Sequence, residues 1–359
     1  DKPAYVMAYS GETVTYGELE ARSNQGAHLF RSLGLNTGDA VAFFIDNHPR
    51  YYELLWAAQR SGLRFTCLSS KLTQSEIEYI VKDCEAKVFV SSKALEDAAL
   101  AVAPQIPGVA LYMVGGEAGP YRSFEDARAA FPTTPIADPS AGRAMLYSSG
   151  TTGRPKGVKR AGEFDPAIDA PNPLAMLGQA LYGWTPDMVY LSPAPLYHAA
   201  PLGWSMAVHA LGGTVVMMER FDAEDALKFI EQYKITSAQW VPTHFVRMLK
   251  LPPEARARYD MSSLKAVFHA AAPCPVPVKE QMIAWWGPIV HEYYAGTEGN
   301  GFCVINSTDW LAHKGSVGRG LTAQVKICDD EGEALPPRTE GMVFFEGGGQ
   351  FEYHGDPAK

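Results

Sequence analysis

Helical and extended patterns alternate along most of this chain, and that grammar leaves few folds open. Thr15-Tyr16-Gly17-Glu18 has the spacing of a capping box and predicts a helix running to about Leu33. The run from Ala40 to Ile45 then reads as a buried strand. A second cycle follows: a helix at Tyr51–Arg60, a strand at Phe65–Leu68, another capping box at Thr73–Glu76 and a strand at Lys87–Val90. Strands joined through helix-length crossovers pair in parallel, so the pattern predicts an α/β fold with mostly parallel sheets. A further series begins after residue 185, with strands at Met188–Leu191, Thr214–Met218, Ser237–Val241, Lys265–His269 and Ile289–Tyr293. Two sheets packed with helices are therefore expected within residues 1–314, in intertwined halves of about 1–185 and 186–314. Beyond Gly315, short runs such as Gln324–Cys328 and Gly341–Phe345 are broken by Gly and Pro, which predicts an antiparallel or barrel-like piece over 315–359.

Bulk properties exclude several classes. No stretch approaches the apolar length of a membrane span. The net charge of −9 opposes general binding to a nucleic-acid backbone, which leaves a small anion as the expected charged ligand. Five widely spaced cysteines, odd in number, fit free thiols in a reducing, cytoplasmic compartment. The chain opens Asp1-Lys2-Pro3-Ala4 without an initiator Met or a basic-then-apolar leader, so it is expected to start inside a longer protein.

One segment concentrates phosphate-binding chemistry. Ser148, Ser149, Gly150, Thr151, Thr152, Gly153 and Lys156 lie between Tyr147 and Gly157. Glycines let backbone N–H groups turn towards an anion, hydroxyls add donors and lysine adds a point charge, a composition suited to the polyphosphate of ATP. A Walker loop would need Gly before the lysine and Ser or Thr after it, where this chain has Pro155 and Gly157. A metal-hydrolase reading lacks ligands at workable spacing, since His291-Glu292 is not followed by a second helical histidine.

The stretch from Ser148 to Gly157 resembles the phosphate-loop signature of the adenylate-forming superfamily, which includes acyl-CoA synthetases, firefly luciferase and peptide-synthetase adenylation domains. Further segments resemble the same family in order: Pro195-Leu-Tyr-His198, Ala270-Ala-Ala-Pro273, Tyr294-Ala-Gly-Thr-Glu298 and Gly315-Ser-Val-Gly318. The resemblance covers essentially the whole chain and implies a large N-terminal domain of layered αβαβα type. The mobile C-terminal domain, with a carboxylate-contacting lysine and much of the CoA site, is then expected beyond Lys359.

Site roles follow from the resemblance. Lys156, Thr297, Glu298 and His198 take catalytic roles. Ser148 to Gly153, Ala271, Ala272, Pro273, Tyr293, Tyr294, Ala295, Gly296 and Thr297 surround the nucleotide, with Tyr294 against adenine. Glu298, helped by Thr152, faces Mg²⁺, a hard cation that takes one or two carboxylates plus phosphate oxygens. Ala295 stands where the family usually has Gly. His198, Trp204, Trp240, His269, Ala270, Ala271 and Gly296 line the acid's pocket, whose apolar character suits a medium- or long-chain fatty acid or a bulky ring acid. The implied reaction is attack of a carboxylate on the ATP α-phosphorus, release of pyrophosphate, and transfer of the acyl group to coenzyme A. A carrier protein as acceptor is one alternative; a non-catalytic nucleotide-binding module is another. The partners expected are the acid, ATP and CoA, with a homodimer left open.

Overall fold

The computed structural model describes residues 1–148, 154–160 and 166–355, with Arg160 through its backbone alone. Both capping boxes open helices. The Thr15 hydroxyl accepts from the Glu18 amide at 3.2 Å, Glu18 accepts from the Thr15 amide at 2.9 Å, and Tyr16–Ser32 follows. Glu76 likewise accepts from the Thr73 amide at 2.8 Å at the head of Gln74–Asp83. These bonds satisfy amides that a helix start leaves orphaned. The helix Tyr51–Arg60 has the predicted ends.

Six strands form an all-parallel sheet in the order Arg122–Ser123, Ala110–Val114, Ala86–Ser92, Ala40–Phe44, Arg64–Cys67 and Arg143–Ala144. Val41 and Phe43 point into one core and Ala42 and Phe44 into another, which is why this strand reads as an unbroken apolar run.

The larger sheet has nine strands. Six of them run in parallel: Val290–Ala295, Ala266–His269, Ser237–Trp240, Val189–Ser192, Thr214–Met217 and Pro3–Met7. Antiparallel strands edge them, Phe302–Ile305 and Arg319–Gly320 on one side and Thr13–Thr15 on the other. Tyr5, Val6 and Met7 pair with Val215, Val216 and Met217, a contact between the chain's start and its middle that local pattern cannot locate.

Helices Tyr16–Ser32, Tyr51–Arg60, Pro173–Tyr182 and Ala199–Leu211 contribute to the core between the sheets. Ala223–Gln232, Pro242–Leu249 and Val276–Trp286 cover the far face of the larger sheet, and Gln74–Asp83 and Glu96–Val102 that of the smaller. The result is the five-layered αβαβα stack that the family resemblance implied, built from the two mostly parallel sheets that the pattern predicted. Gln324–Cys328 and Met342–Glu346 form an antiparallel ribbon in the tail. Among the described residues no helix is long and apolar enough to cross a membrane, and all five cysteines are free thiols.

Candidate active site

In open parallel sheets the ligand crevice lies beyond the C-terminal strand ends, where neighbouring connections leave in opposite directions. Val189–Ser192 is such a point, because it stands between Thr214–Met217 and Ser237–Trp240, the next two strands in sequence. His198 lies just beyond it. Ala270–Pro273 follows Ala266–His269, and Gly296–Glu298 follows Val290–Ala295, so three of the segments picked out by sequence leave the same edge of one sheet.

The phosphate-loop flanks arrive from a separate three-stranded sheet. Leu146–Ser148 pairs antiparallel with Lys156–Arg160, placing Ser148 opposite Lys156. Ser149, Gly150, Thr151, Thr152 and Gly153 lie outside the described residues. Tyr147 anchors one flank by donating its hydroxyl to Asp83, and Tyr79 anchors the other by donating to the Pro155 carbonyl at 3.2 Å. The third strand, Phe351–Tyr353, pairs with Lys156–Arg160 so that Tyr353 lies opposite Val158. The Lys156 ammonium sits 4.9 Å over the Tyr353 ring, while the Tyr353 hydroxyl donates to Glu298 Oε1 at 3.4 Å. Burial and the nearby Glu298 charge raise the Tyr353 hydroxyl's pKa, which keeps it a donor. One ring thus joins Lys156 and Glu298.

Glycines shape the turn that carries Glu298. A Cβ on Gly296 would fall 2.8 Å from Glu298 Oε2, so the carboxylate folds back over bare backbone. Gly299 closes the turn by donating to the Gly296 carbonyl at 3.2 Å. Thr297 is exposed on it. Tyr294 is 42% exposed and stacks on Phe345, with centroids 6.1 Å apart, offering a flat apolar face. Tyr293 turns the other way: its hydroxyl accepts from Trp204 and Gln239, each at 3.1 Å, deep in the central core. Its side chain therefore does not join Tyr294 at the exposed surface expected to face the nucleotide.

Across from this turn, Ala270 is buried while Ala271, Ala272 and Pro273 are exposed. Ala271 has φ of +74°, a left-handed conformation that an L residue keeps only when its surroundings hold it. His198 caps Ala199–Leu211 and is exposed, with desolvation by the protein on its inner side lowering its pKa. The segment before it is pinned by Asn47, which sequence reading missed. Asn47 donates to the Ala194 and Met218 carbonyls and accepts from the Leu196 amide at 3.0 Å.

Three expected pocket residues are not brought together. Trp204 is buried between the sheets against Phe268, whereas Trp240 is buried on the opposite face of the larger sheet against Phe245 and Trp286. His269 shares the Trp240 side and has no exposed surface. Strand alternation separates them, because Gln239 and Phe268 face one way and Trp240 and His269 the other. Both tryptophans are core residues here.

Among the described residues no group of three or more His, Cys, Asp or Glu could hold a metal. Glu298 offers a single carboxylate, which suits a cation that draws most of its ligands from phosphate and water. Two cavities of about 640 and 630 Å³ are lined by neither Lys156 nor Glu298; the first runs along Tyr79, Asp83 and Arg154 and the second beside Tyr182, His291 and Arg319.

Comparison with known proteins gives a consistent picture. The AMP-binding enzyme family matches residues 1–352. A feruloyl-CoA synthase from Amycolatopsis sp is 28% identical over 96% of this chain and 67% of its own length. The fatty acid–[acyl-carrier-protein] ligase ScoC of Streptomyces coeruleorubidus is 28% identical over 93% of this chain and 64% of its own. The chain thus spans about two-thirds of the length of these relatives. Among solved structures, ATP-bound MatB from Rhodopseudomonas palustris superposes with a TM-score of 0.79 at 25% identity, covering 99% of this chain and 69% of that one. The N-terminal domain of FACL13 from Mycobacterium tuberculosis gives 0.82 at 24% identity, over 99% and 88%.

Proposed function

The chain belongs to the AMP-binding enzyme family, and on that premise we propose that it is the ATP-binding part of an AMP-forming ligase that activates an apolar carboxylic acid and passes it to coenzyme A. The observation that carries this reading is the linked trio Lys156, Tyr353 and Glu298. A cation and a metal-binding carboxylate on either side of one ring can grip a single triphosphate from both ends.

A carboxylate oxygen of the acid attacks the α-phosphorus of ATP, the bond to the bridging oxygen breaks, and pyrophosphate leaves. Charge moves onto phosphate oxygens, so the protein contributes positioning and electrostatic stabilisation and needs no nucleophile of its own. Lys156 neutralises the departing phosphates. Thr297 donates beside the α-phosphate, Thr151 and Thr152 add hydroxyls on the strength of their motif, and Tyr294 carries the adenine. Glu298 would hold Mg²⁺, which when bound would supply Lewis-acid charge neutralisation. The acid lies near His198, Ala270, Ala271 and Gly296, with a fatty or ring acid as its class. In the second step the CoA thiolate attacks the acyl carbonyl and AMP departs. Similarity to ScoC supports a carrier-protein thiol as the alternative acceptor.

ATP–pyrophosphate exchange on the intact protein, run across graded fatty and aryl acids, tests the first step. CoA or a phosphopantetheinyl carrier added afterwards identifies the acceptor by the thioester formed. Lys156→Ala and Glu298→Ala should each lower adenylation by roughly 10²-fold, the scale of losing one preorganised charge-stabilising group. Pyrophosphate release unchanged in both variants removes the mechanism. Tight ATP binding with no exchange for any acid replaces it with a non-catalytic nucleotide module.

A further inference from the structure

Behind the Ala270–Pro273 turn lies a charged cluster that the reaction above does not use. Trp240, His269 and Glu292 stand opposite one another on three adjacent parallel strands and face the same side of the sheet. Val276–Trp286 crosses that side, and its fully buried Lys279 donates to the Glu292 carboxylate. The ammonium also lies 4.7 Å over the Trp310 ring. His269 Nε2 is 3.5 Å from the same Glu292 oxygen, and neither ring nitrogen of His269 has a hydrogen-bond partner.

Position gives the pair its significance. Lys279 lies in the first turn of the helix that the Ala270–Pro275 segment leads into, and Glu292 lies two residues before Tyr294. Their bond therefore ties the two strand-end segments together directly beneath the surface they present. Ala271, at φ +74°, needs such restraint. A buried ion pair is weak evidence of stability, because desolvation offsets much of its attraction, yet it fixes two elements in one geometry.

We propose that Lys279 and Glu292 are positioning residues for the nucleotide: their buried bond sets the spacing between the Ala270–Pro273 turn and Tyr294–Gly296, the two walls against which the adenylate lies. This rests on the reading of those segments as nucleotide walls.

The test measures ATP affinity by calorimetry, ATP KM and kcat by pyrophosphate exchange, and Tm, all on the intact protein. Lys279→Met and Glu292→Gln should weaken ATP binding and raise its KM by about tenfold, with kcat changed by less than about twofold, as expected when support for a binding surface is lost. Should the single variants fail to fold, Lys279→Met/Glu292→Leu removes both charges and strands neither. It should keep the parental Tm within a few degrees and still bind ATP about tenfold more weakly. A purely structural pair shares the Tm pattern, falling in the singles and returning in the double, but leaves every folded variant binding ATP as the parent does. That result overturns the proposal. Calorimetry reports on the clamp even if no acid supports exchange, so failure of the ligase reading and failure of the clamp are distinguishable.

Discussion

Glu53 and Glu292 are both buried carboxylates with cationic partners, but their surroundings are completed to different degrees. Glu53 Oε1 accepts from Arg50 at 2.6 Å and Arg22 at 3.1 Å, Oε2 accepts from Arg128 at 3.0 Å, and the Tyr5 hydroxyl approaches Oε1 at 3.4 Å. Nearby His209 uses both ring nitrogens, donating from Nε2 to the Ala4 carbonyl at 3.1 Å and accepting at Nδ1 from Trp56 at 3.2 Å. Around Glu292 there is one lysine, and a buried histidine with no hydrogen-bond partner. The first cluster joins the opening strand to the helices beneath it, and none of its members belongs to the candidate site. The second lies under the Ala270–Pro273 and Tyr294–Gly296 segments proposed as the nucleotide walls. Satisfied networks lock a core, whereas unspent polar capacity marks a place where stability is not the sole demand.

The sharpest way to break this contrast is Glu53→Leu. It removes a carboxylate shared by three arginines: Arg22 and Arg50 keep Glu18 and Glu12, but buried Arg128 loses its paired carboxylate, so the change should cost about 3 kcal/mol or more in chemical denaturation. ATP affinity of the folded protein should stay at the parental value, and a parallel loss of ATP binding would erase the distinction between the two regions.

Acid titration compares them next. Burial holds His209 and His269 neutral, pushing each pKa from 6.5 down to about 3. Between those values the unfolded chain binds more protons than the folded one. Each histidine therefore contributes stability that is present above pH 6.5 and is lost as pH falls below it, at about 1.4 kcal/mol per pH unit. Urea denaturation from about pH 7.5 to about pH 5 should show that decline, and His209→Gln and His269→Gln should each flatten it. A slope unaffected by His269→Gln would mean that solvent already reaches its imidazole.

The smallest effect falls on the wall itself. Replacing Ala271 by Gly removes the left-handed penalty while adding unfolded-state entropy, for a net gain of about 0.5 kcal/mol. Ala271→Val should lower Tm instead. Equal Tm values for the two would show that the wall is not under backbone restraint.

What could be read in advance separates along the same line. The Thr15 and Thr73 capping boxes, the Tyr51–Arg60 helix and most strands of both sheets were legible because their signals are local. Lys156, Tyr294 and Glu298 were singled out as candidates because their residue types are compressed into short motifs. Tyr353, Asn47, Lys279 and Glu292 were not, since each acquires its part from a partner supplied by a different element of the fold. Trp204 and Trp240 misled for a related reason: an apolar residue type does not say which face of the sheet it joins. Phe351–Tyr353 carried the one available hint, an aromatic–charged–aromatic alternation that fits a strand.

Adenylation by this fold requires Lys156 and Glu298 to serve one ligand. Diffraction from the intact protein crystallised with a non-hydrolysable ATP analogue and Mn²⁺ addresses this directly, since the anomalous signal locates the metal. The expected map has Mn²⁺ on the Glu298 carboxylate, the triphosphate running from it towards Lys156, and adenine against Tyr294. A nucleotide bound elsewhere, or a metal away from Glu298 with Lys156 touching no phosphate, would contradict it.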